Sequence, residues 1–202
     1  MTRKTAVVQA AIELFAEKGF HATPTSAVAK RAKVAEGTIF YYFKTKEGIL
    51  MYILEEMMEI YLQGLKDQVK RAATGLEAIE KLIRFHFRFT REKAGEVLVL
   101  LRDLPSDLMK LDSPYLEPLT ARFTEIIKLM EECLERGQED GSIRLLPVQE
   151  TAFILRGMLD GLSRLMLLGP FKLPDMSSEV VDFCCRSFAR GNEQSAEEGP
   201  AR

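Results

Sequence analysis

The sequence predicts an all-α fold: an N-terminal three-helix helix-turn-helix domain followed by a larger helical bundle. Three observations carry that expectation. Glycine and proline fall mainly between periodic segments, the segments are rich in Ala, Leu, Glu, Lys, Arg and Met, and no alternating Val/Ile/Thr run bounded by turns is present. With 202 residues, 47% of them hydrophobic and 29% charged, the chain is long enough to bury a sizeable core and has none of the low-apolar signature of disorder.

The first helix is expected over about residues 3 to 18, with Val7, Ala10, Ala11, Leu14 and Phe15 on one stripe and Gly19 ending it. Thr23-Pro24 then reads as a start signal, the hydroxyl capping free N–H groups and proline occupying the first helical position. A short second helix runs to about Ala32, a third covers roughly Glu36 to Tyr42, and a long fourth begins near Thr45 or Lys46. Three helices within fifty residues, the second and third joined by a turn of about four, is helix-turn-helix geometry. About six longer helices follow, broken at Thr74-Gly75, Leu104-Pro105-Ser106, Asp112-Ser113-Pro114, Gly141-Ser142 with Pro147, and Gly169-Pro170 with Pro174. The expected division is residues 1–50 for the head, 51–190 for the body and 191–202 for a disordered tail without large apolar side chains.

Charge is divided unevenly. Residues 1–50 carry eight basic and four acidic side chains, net +4, and the remainder is net −6. A basic head on an acidic body suggests an anionic partner at the amino-terminal end, nucleic acid being the commonest. If residues 36–43 are helical, Thr38, Tyr41 and Tyr42 project away from Ile39 and Phe43, which would pack on Val28, Ala29 and Leu14. Hydroxyls can donate to phosphates and rings can lie against thymine methyls, while Thr25, Ser26, Lys44 and Lys46 flank the helix where a duplex backbone would pass. The plainer reading, in which the tyrosines pack on neighbouring helices, stands beside this one.

The stretch GFHATPTSAVAKRAKVAEGTIFYYFKTKEGIL resembles the DNA-binding half of the tetracycline-repressor (TetR) family. The matching positions are Gly19, Phe20, Thr23, Val28, Ala29, Ala32, Val34, Gly37, Thr38, Phe40, Tyr42, Phe43, Lys46 and Glu47. The resemblance implies a homodimeric transcriptional regulator, usually a repressor, that binds palindromic operator DNA and releases it when a small-molecule effector occupies the carboxy-terminal domain. It also implies DNA contacts at Thr25, Ser26, Thr38, Tyr41, Tyr42 and Lys46. Three positions depart from the pattern. Lys33 stands where glycine is usual, at a cost of about 1 kcal/mol if φ is positive there, but adds charge near the DNA backbone. Ala35 stands where a capping serine is usual, and Phe40 replaces a frequent tyrosine.

In the body, GLEAIEKLIRFHFRFT puts Leu82, Phe85 and Phe89 on one face and Phe87 nearly opposite, as for a helix buried on both sides. In the resembled family the central helix commonly borders the effector cavity. Met57, Tyr61, Phe85, His86, Phe89, Phe123 and Met130 are the expected lining, with plain core packing the alternative. Arg102 with Asp103 and Asp107 reads as a solvated polar cluster. From Val148 to Leu168 the sequence is apolar on most faces, with Gly157 and Gly161 one turn apart. Leu155, Met158, Leu162 and Leu165, with Val180, Phe183, Cys184 and Phe188 from the last helix, form the expected dimer interface, against an intramolecular core.

Chemistry of other kinds is weakly represented. Two Glu-Glu-x-x-Glu clusters lack the Glu-x-x-His pair of a di-iron bundle, and there is no phosphate-binding glycine loop or nucleophile elbow. No enzyme activity, cofactor or metal is expected; a bundle enzyme or small-molecule carrier with purely structural amino-terminal helices is the alternative. No apolar run approaches a membrane span and no signal segment is visible, so a cytoplasmic protein without a membrane partner is expected. Cys133, Cys184 and Cys185 read as buried free thiols.

Overall fold

The computed structural model describes residues 2–103, 116–170 and 172–190. Among the described residues it is all-α, with α1 (Arg3–Lys18), α2 (Thr25–Ala32), α3 (Glu36–Phe43), α4 (Lys46–Lys70), α5 (Gly75–Glu92), α6 (Ala94–Asp103), α7 (Leu116–Glu139), α8 (Val148–Leu168) and α9 (Ser177–Phe188). The expected tail, the breaks at 104–106 and 112–114, Asp107 and the Asp103 side chain lie outside the described residues.

Helix α1 begins where the Thr2 side chain accepts from the Thr5 N–H, and ends at Gly19, whose N–H still donates to the Phe15 carbonyl and whose φ of 88° then turns the chain out of the helix. Its buried stripe is Val7, Ala10, Ala11, Leu14 and Phe15, as the spacing predicts. Thr23 departs from expectation. It is fully buried, and its hydroxyl donates backward to the carbonyls of Gly19 (2.8 Å) and Leu14 (3.3 Å) instead of capping α2. Pro24 occupies the N-cap itself, with no side-chain cap. The threonine therefore ties the loop after α1 back onto the helix.

The body is built around α5, which packs against α4, α6, α7, α8 and α9 and buries residues on opposing sides, His86 and Phe87 among them. It starts from a capping arrangement, with Thr74 accepting from the Glu77 N–H, and its first residue, Gly75, lies so close to Gly137 of α7 that a Cβ there would meet backbone at 2.1 Å. The expected head–body boundary at residue 50 falls inside α4. This 25-residue helix, about 37 Å long at the α-helical rise, runs from the head into the body and buries residues from Ile49 to Leu65.

Head and body also meet through α6. The Arg102 guanidinium donates to the carbonyls of Ala16 (3.0 Å) and Phe15, at the carboxyl end of α1. Arg102 is exposed, as expected for a solvated charge, and it also binds the negative end of the α1 dipole, where free carbonyls attract a cation.

Candidate nucleic-acid interface and effector cavity

Helix α3 packs into the head through Ile39 and Phe43, both buried with Val28, Ala29 and Leu14 in one core. Most of its exposed surface is aromatic: Tyr41 is 73% exposed, Phe40 46% and Tyr42 40%. The tyrosines contact each other edge to face at 5.0 Å, and their hydroxyls have no hydrogen-bond partner among the described residues. Such a surface is costly to leave in water and offers flat rings together with hydroxyl donors. Thr38 is half-buried on the same helix.

Two strained turns hold α3 in place. Lys33 adopts the left-handed conformation (φ 56°, ψ 43°) between α2 and α3, a position that costs a non-glycine residue about 1 kcal/mol. Lys44, after α3, has φ 65° and ψ −47°, and the Thr45 N–H bonds back to the Phe43 carbonyl at 2.7 Å. This is a γ-turn of the rarer positive-φ hand, a conformation kept only where its surroundings enforce it. Gly48 is part of those surroundings, because a Cβ there would lie 2.1 Å from the Phe43 carbonyl oxygen. Both strained residues are exposed lysines on either side of the aromatic helix.

Other predicted contacts are partly committed within the head. Thr25 donates to Glu36 at 2.7 Å, tying the start of α2 to the start of α3; Ser26 is exposed. Lys46 is half-buried, not directed outward. Its ammonium donates to the carbonyls of Phe20 (3.0 Å) and His21 (3.4 Å) and lies 4.4 Å from the Phe20 ring centroid, so it clamps the α1–α2 loop to the start of α4. As expected, Ala35 makes no side-chain cap.

In the body a cavity of about 40 Å³ lies between α4, α5, α6, α7 and α8. Five of the seven expected residues line it: Met57, Tyr61, His86, Phe89 and Phe123. The other two do not. Phe85, one residue and about 100° around the helix from His86, rests on Gly64 in a surface groove of α4 and α5. Met130, two turns along α7 from Phe123, is wholly enclosed in the core.

The cavity wall has a polar strip that sequence reasoning missed. Tyr61 Oη is 2.8 Å from His86 Nδ1; His86 Nε2 is 2.7 Å from Ser163 Oγ and 3.2 Å from the Leu159 carbonyl; Ser163 is 3.2 Å from Thr90. A carbonyl only accepts, so Nε2 carries the proton and Nδ1 accepts from the Tyr61 hydroxyl. Tyr61 in turn accepts from Arg156 Nη1 at 3.3 Å, and Arg156 forks onto Asp160 through Nε and Nη2, both at 2.8 Å. Burial, reinforced by Arg156, pushes the His86 pKa down to about 3, and burial pushes Tyr61 up to about 12. Burial also raises Asp160, against the pull of Arg156. The histidine is thus a neutral, fully hydrogen-bonded wall residue. Arg156, Asp160 and Ser163 recur at helical spacing along one face of the apolar α8, the one signal that could have found the strip.

The expected dimer residues divide between inside and outside. Leu155, Val180 and Cys184 are buried within the subunit and are corrected to core, whereas Met158, Leu162 and Phe188 are half-buried and Leu165 (47%) and Phe183 (63%) are exposed. Ile154, not predicted, is 70% exposed on the same outer stripe of α8 as Gly157 and Gly161, where a Cβ would meet open space. Cys133 is buried and Cys185 partly so. Among the described residues no cluster of His, Cys, Asp or Glu could hold a metal ion, and no helix is long and apolar enough to cross a membrane.

The chain matches the family model of bacterial regulatory proteins of the tetR family over residues 7–53, and that of the tetracyclin repressor-like C-terminal domain over residues 72–188. The fatty acid metabolism regulator protein of Bacillus subtilis is 30% identical over 138 residues, 68% of this chain and 69% of that protein. The HTH-type transcriptional repressor KstR2 of Mycolicibacterium smegmatis is 28% identical over 144 residues, 71% of this chain and 68% of that one. Among solved structures, the transcriptional regulator FadR from Bacillus subtilis in complex with stearoyl-CoA superposes with a TM-score of 0.77 at 25% identity, covering 89% of this chain and 96% of that one.

Proposed function

The chain belongs to the tetR family of bacterial regulatory proteins, DNA-binding transcriptional regulators and not enzymes, and from that membership we propose that it represses transcription as an acyl-responsive homodimer. Each copy presents α3 to a major groove of a palindromic operator, and a long-chain acyl compound in the body cavity releases the DNA. The observation that carries the DNA half is the exposed aromatic face of α3, Phe40, Tyr41 and Tyr42, on a helix whose other face is locked into the head.

Lys33 and Lys44 on the adjoining turns supply cations for phosphates, so affinity falls as salt rises. The outer stripe of α8 with Phe183 of α9 supports pairing of two copies, because exposed apolar residues at helical spacing are stabilised by a matching helix pair. The acyl assignment rests on the apolar cavity and on relatives whose own names specify fatty acid metabolism and a stearoyl-CoA complex.

Release is a population shift. The cavity, about 40 Å³, has room for only a few water molecules, far below the roughly 300–1,000 Å³ of a small-molecule pocket. A guest must therefore select an expanded arrangement of α4, α6 and α8. It weakens DNA binding by as much as it prefers that arrangement to one spacing two α3 helices about 34 Å apart. A gel-shift titration against the DNA upstream of its own gene, with and without palmitoyl-CoA, tests the reading. Retardation that weakens with salt and is reversed by palmitoyl-CoA is expected; absence of retardation even in dilute buffer contradicts it.

A further inference from the structure

Arg156 is the cation most closely built into the cavity wall. Its side chain is 12% exposed, it lines the cavity, and its guanidinium lies 5.6 Å from the Tyr61 ring centroid and 5.7 Å from that of Phe123. A guanidinium carries five N–H groups. Here one on Nε and one on Nη2 are committed to Asp160 and one on Nη1 to Tyr61, which leaves one on each Nη nitrogen without a protein acceptor among the described residues. Every other polar group of the strip is engaged: the Tyr61 hydroxyl donates to His86, and His86 donates toward Leu159 and Ser163. The rest of the lining, Met57, Phe89, Val97, Leu100 and Ile126 among it, offers only apolar side chains.

We propose that Arg156 is the residue that recognises the effector's carbonyl oxygen, receiving it on the two uncommitted Nη N–H groups, while the acyl chain lies among Met57, Phe89, Val97 and Ile126. The inference rests on the acyl-responsive regulator reading and specifies its polar contact. Asp160 already balances the charge of Arg156, so the site favours an uncharged acceptor, a thioester carbonyl, over a second carboxylate; a free carboxylate shares the same oxygen chemistry. The rings of Tyr61 and Phe123 lie beside the guanidinium, at 5.6 and 5.7 Å from its carbon to the ring centroids. With the Arg156 side chain only 12% exposed, little water reaches the guanidinium, and a missing acceptor is expensive.

The test measures binding of three probes, palmitoyl-CoA, palmitate and the S-hexadecyl-CoA thioether that lacks the carbonyl, to the full-length protein. Wild type is expected to hold palmitoyl-CoA at least tenfold tighter than the thioether. The paired variant Arg156→Met with Asp160→Leu removes both charges so that neither is left buried alone. It is expected to bind the two CoA compounds alike with an unchanged melting temperature. Arg156→Lys, which keeps a charge but not the fork, covers the case in which the paired variant does not fold, and is expected to reduce the discrimination several-fold.

Palmitate binding that depends on Arg156, with no such dependence for palmitoyl-CoA, assigns the same contact to a free acid. Wild type that holds the thioester and thioether equally overturns the assignment, as does discrimination that survives in a folded Arg156 variant. Operator retardation on the same preparations separates the two levels. Equal probe binding with DNA still retarded removes the carbonyl contact alone, whereas absence of retardation removes the regulator reading beneath it.

Discussion

Lys33 and His86 show how single residues trade stability for placement. Lys33 holds a left-handed φ that glycine adopts without strain. Lys33→Gly is therefore expected to raise unfolding stability by about 1 kcal/mol in a denaturant titration, whereas Lys33→Ala, which keeps the strain, leaves it nearly unchanged; equal effects of the two would remove the strain argument. His86 is neutral when folded, with its pKa pushed down to about 3, and near 6.5 when unfolded. Between those values the unfolded chain binds the extra proton. Stability is thus fully present above about pH 6.5 and is lost as pH falls, by up to about 1.4 kcal/mol per pH unit. Comparison of wild type with His86→Gln at about pH 7.5 and about pH 5.5 should show the steeper loss in wild type. Parallel losses would mean that His86 is not the titrating group, since carboxylates common to both proteins cancel.

At the scale of elements, the head was legible because its signals are local. Helical spacing, Gly19 as a terminator and Ile39 with Phe43 as the inward face all involve residues within a few positions of one another. The cavity strip was not, because Tyr61, His86 and Arg156 are 25 to 95 positions apart and meet only after α4, α5 and α8 pack. Helix α8, apolar on most faces, could not reveal that Leu155 points inward and Ile154 outward, since one residue decides the face. Nor could sequence show that Arg102 bonds the end of α1. That contact joins a cavity-lining helix, through Val97, Leu100 and Leu101, to the head. Arg102→Gln is expected to leave DNA affinity within a few fold of wild type while reducing the fall in affinity that palmitoyl-CoA produces, measured by effector titration of the protein–DNA complex. An undiminished response would exclude α6 from the coupling.

For the whole molecule, the proposed regulation requires three surfaces to work together: the aromatic flank of α3, the cavity beneath α4 and α6, and the outer stripe of α8 and α9. The continuous α4 and the Arg102 contact connect the first two within one chain. In the proposed dimer, the exposed Leu165 and Phe183 would be the surface on which two chains fix the spacing of their heads. Leu165→Glu, which places a charge at the centre of that stripe, is expected to shift the protein from dimer to monomer in sedimentation analysis and to weaken operator binding; an unchanged dimer would move the interface elsewhere. The most direct measurement is fluorescence anisotropy of a labelled operator duplex and a scrambled duplex, titrated with wild type and with Tyr41→Ala. Wild type should prefer the operator, and Tyr41→Ala, which removes a side chain that is 73% exposed, should lose at least about tenfold of that preference while binding the scrambled duplex as before. An operator preference undisturbed by the loss of Tyr41 would contradict the assignment of α3 as the reading helix.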